Sequence, residues 1–165
     1  MEWPNYLNLA PLLVYYVTKE AVETKPYIFR PYVQDDLNFI QSSWGNSYWH
    51  GNNNKPFISS KEFHDFHRPI RTKILQKPSA TAIICALEMD PNAILGWALV
   101  EKLESSDALI LHYLYVKEAV KREGIATELV KRALPSEAIA FTHLTEVGRE
   151  IRQKRASVCW NWKFI

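Results

Sequence analysis

Glycine, cysteine and excess charge are all scarce in this chain of 165 residues. Five glycines are too few for the glycine-rich fingerprint of a dinucleotide-binding site. Two cysteines make no disulfide framework, and Cys85 lies in an apolar run where we expect a core residue, so nothing requires an oxidising compartment. The formal net charge of +2 is too small to indicate a nucleic-acid partner by itself.

Long apolar runs and clusters of metal ligands are missing as well. Residues 7–17 are apolar but short, contain Asn8 and Pro11, and follow no basic residue. They fit neither a signal peptide nor a membrane helix of about 20 residues, so we expect a cytoplasmic protein without a membrane partner, its first segment packed on the domain. His64 and His67 have helical spacing, but no cysteine or carboxylate cluster completes a site, so no metal is expected.

The chain is rich in what a globular core needs. Hydrophobic residues make up 47% of the sequence and charged residues 23%, which is typical of one globular domain spanning residues 1–165. Aromatic residues reach 13%, including six Trp. Such residues fill cores or line concave sites, and composition does not distinguish the two roles.

The order of the predicted elements indicates a mixed α/β fold. A strand with alternating apolar residues is predicted at 27–33. Gln34-Asp35-Asp36 can then cap the start of a helix that ends at Trp44, and a polar loop follows at 45–55. Ser59 and Glu62 open a second helix. The later predicted elements are strands at 80–89, 94–103 and 108–116, a helix at 124–134, a strand at 138–144, a helix at 145–155 and a strand at 158–165. The order β-α-α-β-β-β-α-β-α-β predicts a mostly antiparallel sheet flanked by helices, with one strand–helix–strand crossover.

One segment has a pattern that suits phosphate binding. The strand at 108–116 is apolar on both faces apart from His112, as a central strand would be. A basic loop follows, and a helix begins at Gly124, with the small Ala126 two places on. The first amides of a helix attract phosphate, and residues without bulk let it approach closely. The basic residues of the loop are Lys117, Lys121 and Arg122. The pattern predicts a pyrophosphate cradle; the alternative is an ordinary helix start with a solvated basic face.

This segment resembles the signature of the GCN5-related N-acetyltransferases (GNAT), which is Gln or Arg, two residues, Gly, one residue, then Gly or Ala. That signature follows a strand ending in a pattern like Leu-Tyr-Val, and here Leu114-Tyr115-Val116 precedes Lys121-Arg122-Glu123-Gly124-Ile125-Ala126. Residues 94–101 are similar to the family's third strand, and residues 28–36 to its first strand and helix entry. The likeness spans residues 27–144. His112 to Lys117 and the pair Ser43-Trp44 are also similar to acetyltransferase-like proteins carried by bacteriophages.

The resemblance implies an enzyme that binds acetyl-CoA and transfers its acetyl group to an amine in a ternary complex, in a host cytoplasm if a bacteriophage encodes it. The backbone of Tyr115 and Val116 would pair with the pantetheine arm, with Leu114 beside them as a further cofactor-binding residue, and the amides at 122–126 would hold the pyrophosphate. The implied cofactor-binding residues are Leu114, Tyr115, Val116, Lys121, Arg122, Glu123, Gly124, Ile125 and Ala126. Two departures stand out: Lys121 replaces Gln or Arg, and residues 145–155 lack the Tyr that many members use as an acid.

Three residues are the candidates for catalysis. His112 is the first candidate for the base, because it is the titratable group of an apolar strand and alternation places it on the face of Val116. Some arylalkylamine-acetylating relatives place a histidine at the corresponding position; the alternative is a hydrogen-bonded core histidine. Tyr115 is a candidate for a catalytic role from the other face of the strand, although packing suits both it and Tyr113 better. Glu101 is a candidate for binding or deprotonating the amine, and a solvated strand end is its alternative.

The choice of acceptor is the least readable part of the sequence. The predicted loop at 43–55 corresponds to the region that frames the acceptor in the family, so its aromatics Trp44, Tyr48 and Trp49 would form a substrate wall or pin a surface loop. The basic residues at 149–155 suit a solvated helix face better than nucleic acid. A different function class also fits: a GNAT-like fold that binds CoA without turnover, or binds a host protein or nucleic acid.

Overall fold

A computed structural model describes residues 26–51, 57–103, 109–134, 139–142 and 158–160. The strands are β1 (Tyr27–Pro31), β2 (Ala80–Leu87), β3 (Ile94–Lys102), β4 (Leu109–Val116), β5 (Ile139–Phe141) and β6 (Val158–Trp160). The helices are α1 (Leu37–His50), α2 (Ser60–Leu75) and α3 (Ile125–Ala133), with short 3-10 turns at Gln34–Asp36 and Glu118–Val120. The predicted first segment and the predicted helix at 145–155 lie outside these residues.

The six strands form one sheet in sequence order. Neighbours from β1 to β4 are antiparallel, whereas β4–β5 and β5–β6 are parallel. The chain passes from β4 to β5 through α3, which is the crossover expected from the change of hydrophobic period. The predicted mixed α/β fold with a mostly antiparallel sheet is therefore confirmed. Within the described ranges, no helix is both long and apolar enough to cross a membrane.

The sheet separates two apolar cores. On one face α3 packs over residues that include Cys85, Ala98 and Leu111. On the other face α1 and α2 pack over Trp97 and Tyr113. Cys85 is fully buried, as predicted, and burial raises the pKa of its thiol to about 11. A thiol in that state is inert, so Cys85 contributes packing rather than chemistry.

Helix α1 is six residues longer than predicted, and the loop expected from residue 45 onwards is wrong over residues 45–50. The reason is tertiary packing, since Ile40 and Trp44 are both completely buried against the sheet. Gly45 lets α2 come close: a Cβ there would lie 3.0 Å from Arg71 Nη2 and from His64. Packing of this kind outweighs the poor helix propensity of Ser, Asn and Gly, on which the loop prediction rested.

Gly96 on β3 determines how closely the start of α3 approaches the sheet. A Cβ at this position would lie 2.8 Å from the backbone oxygen of Tyr115 and 3.3 Å from side-chain atoms of Ile125 and Leu129. We expect Gly96→Val to lower the free energy of unfolding by about 2 kcal/mol in urea titrations, because the strand oxygen cannot move away. Gly51→Ala is the control, since Gly51 has an ordinary φ of −82°. An equal loss in both variants would contradict this account.

Candidate functional site

Helix α3 begins at a glycine with a left-handed backbone. Gly124 is its N-cap, with φ 84° and ψ 0°. The amide of Glu128 donates to the carbonyl of Gly124 at 3.1 Å, so the amides of residues 125–127 precede the first hydrogen bond of the helix. Such amides, at the positive end of the helix dipole, form a site that favours an anion. A side chain at Gly124 would be strained.

The loop before α3 adds curvature to this site. Arg122 also lies in the left-handed region, with φ 70°, which costs a residue with a side chain about 1 kcal/mol. The loop is anchored at its other end, where the Lys117 amide donates to the Leu95 oxygen at 2.7 Å. Left-handed residues beside a helix start produce concave sets of amides that bind anions. The predicted cradle therefore has the backbone shape that a phosphate group requires.

The basic side chains of the loop are less available than the sequence suggests. Lys121 is paired with Glu118, and the Lys117 ammonium lies 5.2 Å from the centre of the Phe39 ring. Arg122 is exposed, and no described residue pairs with it. The backbone amides, rather than a pool of mobile cations, are thus the constant part of the cradle.

Among the described residues, strand β5 pairs with only the first part of β4. The two strands pair from Leu109 with Ile139 to Leu111 with Phe141, and the last contact is a long bond of 3.4 Å from the Thr142 amide to the Leu111 oxygen. Over the rest of its length, β4 pairs only with β3 among the residues that the structure describes. Within the described ranges no strand pairs with the other edge of β4 beyond Leu111; this stretch is the gap, and an extended ligand pairs with an edge of this kind.

The register decides which backbone groups face the gap. Because the Lys117 amide points to β3, alternation turns the backbone of Tyr115 to β3 as well and turns Leu114 and Val116 outward. The Tyr115 oxygen is indeed next to Gly96 on β3. Of the three strand residues predicted to bind the cofactor, Tyr115 is therefore corrected, and Leu114 and Val116 keep that role as a proposal.

His112 and Glu101 belong to a buried polar network. His112 is 1% exposed, with Nε2 2.8 Å from Glu101 Oε2 and Nδ1 3.2 Å from Thr142 Oγ1. Glu101 is 7% exposed and also accepts from Lys77 at 2.9 Å and from Ser79 at 3.2 Å. Burial lowers the pKa of His112, opposed by the Glu101 carboxylate. Burial would raise the pKa of Glu101, but the hydrogen bonds from Lys77 and His112 hold it below its usual range.

These positions correct the expected roles of both residues. Leu99 pairs with Tyr113 and Val100 with Leu111, so His112 is the extra residue of a β-bulge. The bulge breaks the alternation that placed His112 on the face of Val116 and directs its ring to Glu101 instead. Neither side chain has a surface open to an amine, so neither is positioned as the base. Their network ties β3, β4 and Thr142 together where the described pairing of β4 with β5 ends.

The two tyrosines of β4 differ in their surroundings. The Tyr113 hydroxyl lies 2.9 Å from Ser47 Oγ, and burial raises its pKa to about 12. Tyr115 is only partly buried, its ring stacks 6.3 Å from Trp97, and its hydroxyl has no hydrogen-bond partner in the described part of the chain. Burial raises the pKa of Tyr115, which keeps the hydroxyl protonated at neutral pH. Tyr115 therefore remains a candidate for catalysis, as an acid, whereas Tyr113 is a packing residue.

The aromatic residues expected to frame an acceptor lie on helix α1 instead of a loop. Trp44 is fully buried between Trp97 and Tyr113, at ring distances of 5.7 and 5.3 Å, so it cannot form a substrate wall. Tyr48 and Trp49 are partly buried, and both rings lie within 5.3 Å of Phe63. They join α1 to α2, and their contact with an acceptor stays a prediction.

Sequence reasoning missed the partners of the buried network. Lys77 and Thr142 lie in no motif that distinguishes them from surface residues. The available signal was Glu101, an isolated glutamate at the end of an apolar strand, because a buried carboxylate needs a cation nearby. Residues 145–155, which include the basic residues of 149–155 and lack the tyrosine that many family members have, lie outside the described part of the chain.

Comparisons with known proteins agree with this geometry. A model of the acetyltransferase (GNAT) family matches residues 43–152, which is about two thirds of the chain. No curated protein matches its sequence.

Solved structures share the fold at low identity. A GCN5-related N-acetyltransferase from Ralstonia eutropha has a TM-score of 0.59 and 18% identity over 78% of this chain and 90% of that one. An acetyltransferase from Clostridium acetobutylicum, solved with acetyl-CoA, has a TM-score of 0.55 and 16% identity over 78% and 87%. AAC(6')-Iy, solved with the bisubstrate analog CoA-S-monomethyl-acetylneamine, has a TM-score of 0.51 and 16% identity over 78% and 88%. With the family model spanning more than half of the sequence, the chain belongs to the GNAT family of acetyltransferases.

Proposed function

We propose that the protein transfers an acetyl group from acetyl-CoA directly to an amine, with both substrates bound at once. The observation that carries the proposal is the left-handed Gly124 at the start of α3, the helix that follows β4, whose edge beyond Leu111 has no described partner strand. An anion site that follows a strand with such an edge suits a ligand that combines a pyrophosphate with an extended amide-bearing arm. The neighbours solved with CoA compounds share this fold, which supports the same ligand here.

The residues present fit CoA at two points. The amides of residues 122–126 would hold the pyrophosphate, and the left-handed backbone of Gly124 is one that a residue with a side chain adopts only with strain. The outward backbone groups of Leu114 and Val116 would pair with the pantetheine arm. When bound, acetyl-CoA supplies the activated acetyl thioester. Amides at the open edge of β4 are suited to polarising a carbonyl oxygen.

Tyr115 is the residue that we assign to proton transfer. Its protonated hydroxyl, without a described hydrogen-bond partner, suits an acid that donates a proton to the leaving thiolate. The His112–Glu101 network acts through position, because it ties β3 and β4 to Thr142. With His112 sealed from an amine, the acceptor has to arrive as the neutral amine. After attack its nitrogen loses a proton, which the Tyr115 phenolate takes up once Tyr115 has protonated the leaving thiolate.

Tyr115→Phe separates catalysis from binding. We expect kcat to fall between about tenfold and a hundredfold while the Kd for acetyl-CoA stays within about twofold, since only a proton donor is lost. The assay is release of CoA thiol with a panel of small amines, polyamines, aminoglycosides and lysine peptides. Tyr113→Phe is the matched control, because its hydroxyl already bonds Ser47. Equal loss of rate in both variants would contradict the assignment.

A binding module that holds CoA without turnover is the second candidate, favoured by the burial of His112 and Glu101. Calorimetric titration with acetyl-CoA, combined with the thiol assay, distinguishes the binding module from the enzyme. Micromolar affinity with no thiol release for any amine class would establish the binding module and overturn the enzyme. Absence of binding by the folded protein would overturn both. Residence in a host cytoplasm, a bacteriophage origin and a host protein partner stay predictions.

A further inference from the structure

A polar groove of about 850 Å³ lies between α1 and α2, away from the loop and strand assigned to acetyl-CoA. Helix α1 contributes neutral polar side chains to it, among them Gln41 and Asn46. Helix α2 contributes the charged side chains, which are Lys61, Asp65, Arg68 and Arg71. The proposed acetyl transfer uses none of these residues, so the groove needs its own explanation.

Arg71 is a buried cation with an incomplete set of partners. It is 3% exposed, and its Nε donates to Gln41 Oε1 at 3.3 Å. Its Nη1 is buried with no hydrogen-bond partner in the described residues, and no described carboxylate forms a salt bridge with it. A guanidinium removed from water without an anion is unstable, so the position calls for a negatively charged partner.

The other charges of the groove do not supply that partner. Lys61 and Asp65 pair with each other at 2.6 Å and cancel. Arg68 is exposed and has no salt bridge within the described ranges. Burial lowers the pKa of Arg71, and the nearby Arg68 lowers it further, so the two guanidinium groups repel each other. Arg71 therefore has no described carboxylate partner, and Arg68 has only the nearby Asp65, which is already paired with Lys61.

Gly45 fixes where the Arg71 group sits. A Cβ on Gly45 would lie 3.0 Å from Arg71 Nη2, so the missing side chain is what lets the guanidinium lie against α1. With Nε bound to Gln41 and Nη2 packed on Gly45, the group is held in place before any ligand arrives. A fixed guanidinium binds an oxyanion with little loss of side-chain entropy.

We propose that this groove binds an oxyanion, a phosphate monoester or a carboxylate carried by a small polar molecule, at a second site separate from that for acetyl-CoA. Arg71 and Arg68 hold the anion, and the amides and hydroxyls of α1 contact the polar remainder of the ligand. Guanidinium groups have the planar fork that matches both phosphate and carboxylate.

The experiment titrates three probes into the Gly124→Glu protein, whose acetyl-CoA cradle is disabled and cannot take up phosphate. Inorganic phosphate, glucose 6-phosphate and acetate are followed by thermal shift and calorimetry, with sodium chloride at equal ionic strength as the reference. We expect saturable binding of phosphate or acetate. Stronger binding of the two phosphates identifies a phosphate site, and stronger binding of acetate a carboxylate site.

Variants on α2 locate the site. Arg68→Gln is expected to weaken the anion about tenfold, because one charge-assisted contact is lost. Arg71→Met is expected to abolish binding and, without ligand, to raise Tm by about 3 °C, since an uncompensated buried charge is removed. Lys73→Gln removes the same charge from an exposed position of α2 outside the groove and serves as the control.

Three results would overturn the proposal. One is the absence of saturable binding by any probe. Another is equal weakening by Lys73→Gln and Arg68→Gln, which would show a general charge effect. The third is a large loss of stability in Arg71→Met, which would show that Arg71 already has an anionic partner within the chain. Because acetyl-CoA binding is measured separately in the native protein, failure here leaves the proposed acetyl transfer intact.

Discussion

Replacement of Gly124 by glutamate is expected to weaken acetyl-CoA binding at least about 200-fold, which corresponds to the loss of two charge-assisted hydrogen bonds to the pyrophosphate. Two causes act together. A residue with a side chain is strained at φ 84°, which shifts the amides that follow it, and the new carboxylate repels phosphate from the same position. Calorimetric titration of the native and variant proteins measures the effect.

The control must introduce the same charge at a glycine whose backbone is not in the left-handed region. Gly51→Glu does this at the end of α1, where φ is −82° and the residue is exposed. We expect its affinity for acetyl-CoA to stay within about twofold of the native value, because surface charges at a distance are screened by salt. Native affinity in the folded Gly124→Glu protein would show that the start of α3 is not the cradle.

The parts of the molecule that local patterns encode were predicted from the sequence. The β2–β3 hairpin, the start of α2 at Ser59 and the crossover through α3 all depend on neighbours in the chain, and the structure has each of them. The backbone at the start of α3 belongs to this group too, whereas its binding of a pyrophosphate stays a prediction. A glycine at a helix start after a central strand is a local signal, and Gly124 has the left-handed backbone that such a position requires.

The parts that failed depend on contacts between distant segments. The end of α1 was misplaced because Gly45 and the polar residues after it favour a loop locally, and their helix depends on the packing of α1 against the sheet and α2. The bulge at His112 was invisible because alternation assumes one register along the whole strand. In both cases residues that were expected at the site are buried in the structure, so an error in the predicted fold led to an error in the assigned chemistry.

The buried position of His112 gives it a different role in the proposed reaction, which is positioning of strands instead of proton transfer. A sealed histidine bound to Glu101 cannot exchange protons with a substrate, but it does couple the positions of β3 and β4 with Thr142. Thr142 is also the last described residue that bonds to β4, so the network lies where the described pairing of β4 with β5 ends. Variants of the network should therefore alter stability first and acetyl-CoA affinity only through the shape of the gap.

Replacement of Glu101 by alanine is expected to lower the free energy of unfolding by about 3 to 5 kcal/mol, the usual cost of removing one member of a buried charged network. The change leaves His112 and Lys77 without their shared acceptor. Stability should also depend on pH in the native protein. The pKa values of Glu101 and His112 are both lowered by folding, so both contributions are present at high pH and are lost as the pH falls, that of His112 from about 6.5 and that of Glu101 from about 4.5.

Urea unfolding of native, Glu101→Ala and Glu101→Gln proteins between pH 4 and pH 8 measures both effects. The glutamine variant keeps the volume and a hydrogen-bond acceptor, so we expect it to lose less stability than alanine and to lack the part of the acid dependence that starts below about pH 4.5. Asp65→Asn is the control, because Asp65 pairs with Lys61 on the surface, where the loss of an ion pair changes stability little. If Glu101→Ala were no more harmful than this control, the carboxylate would not be a buried partner of His112.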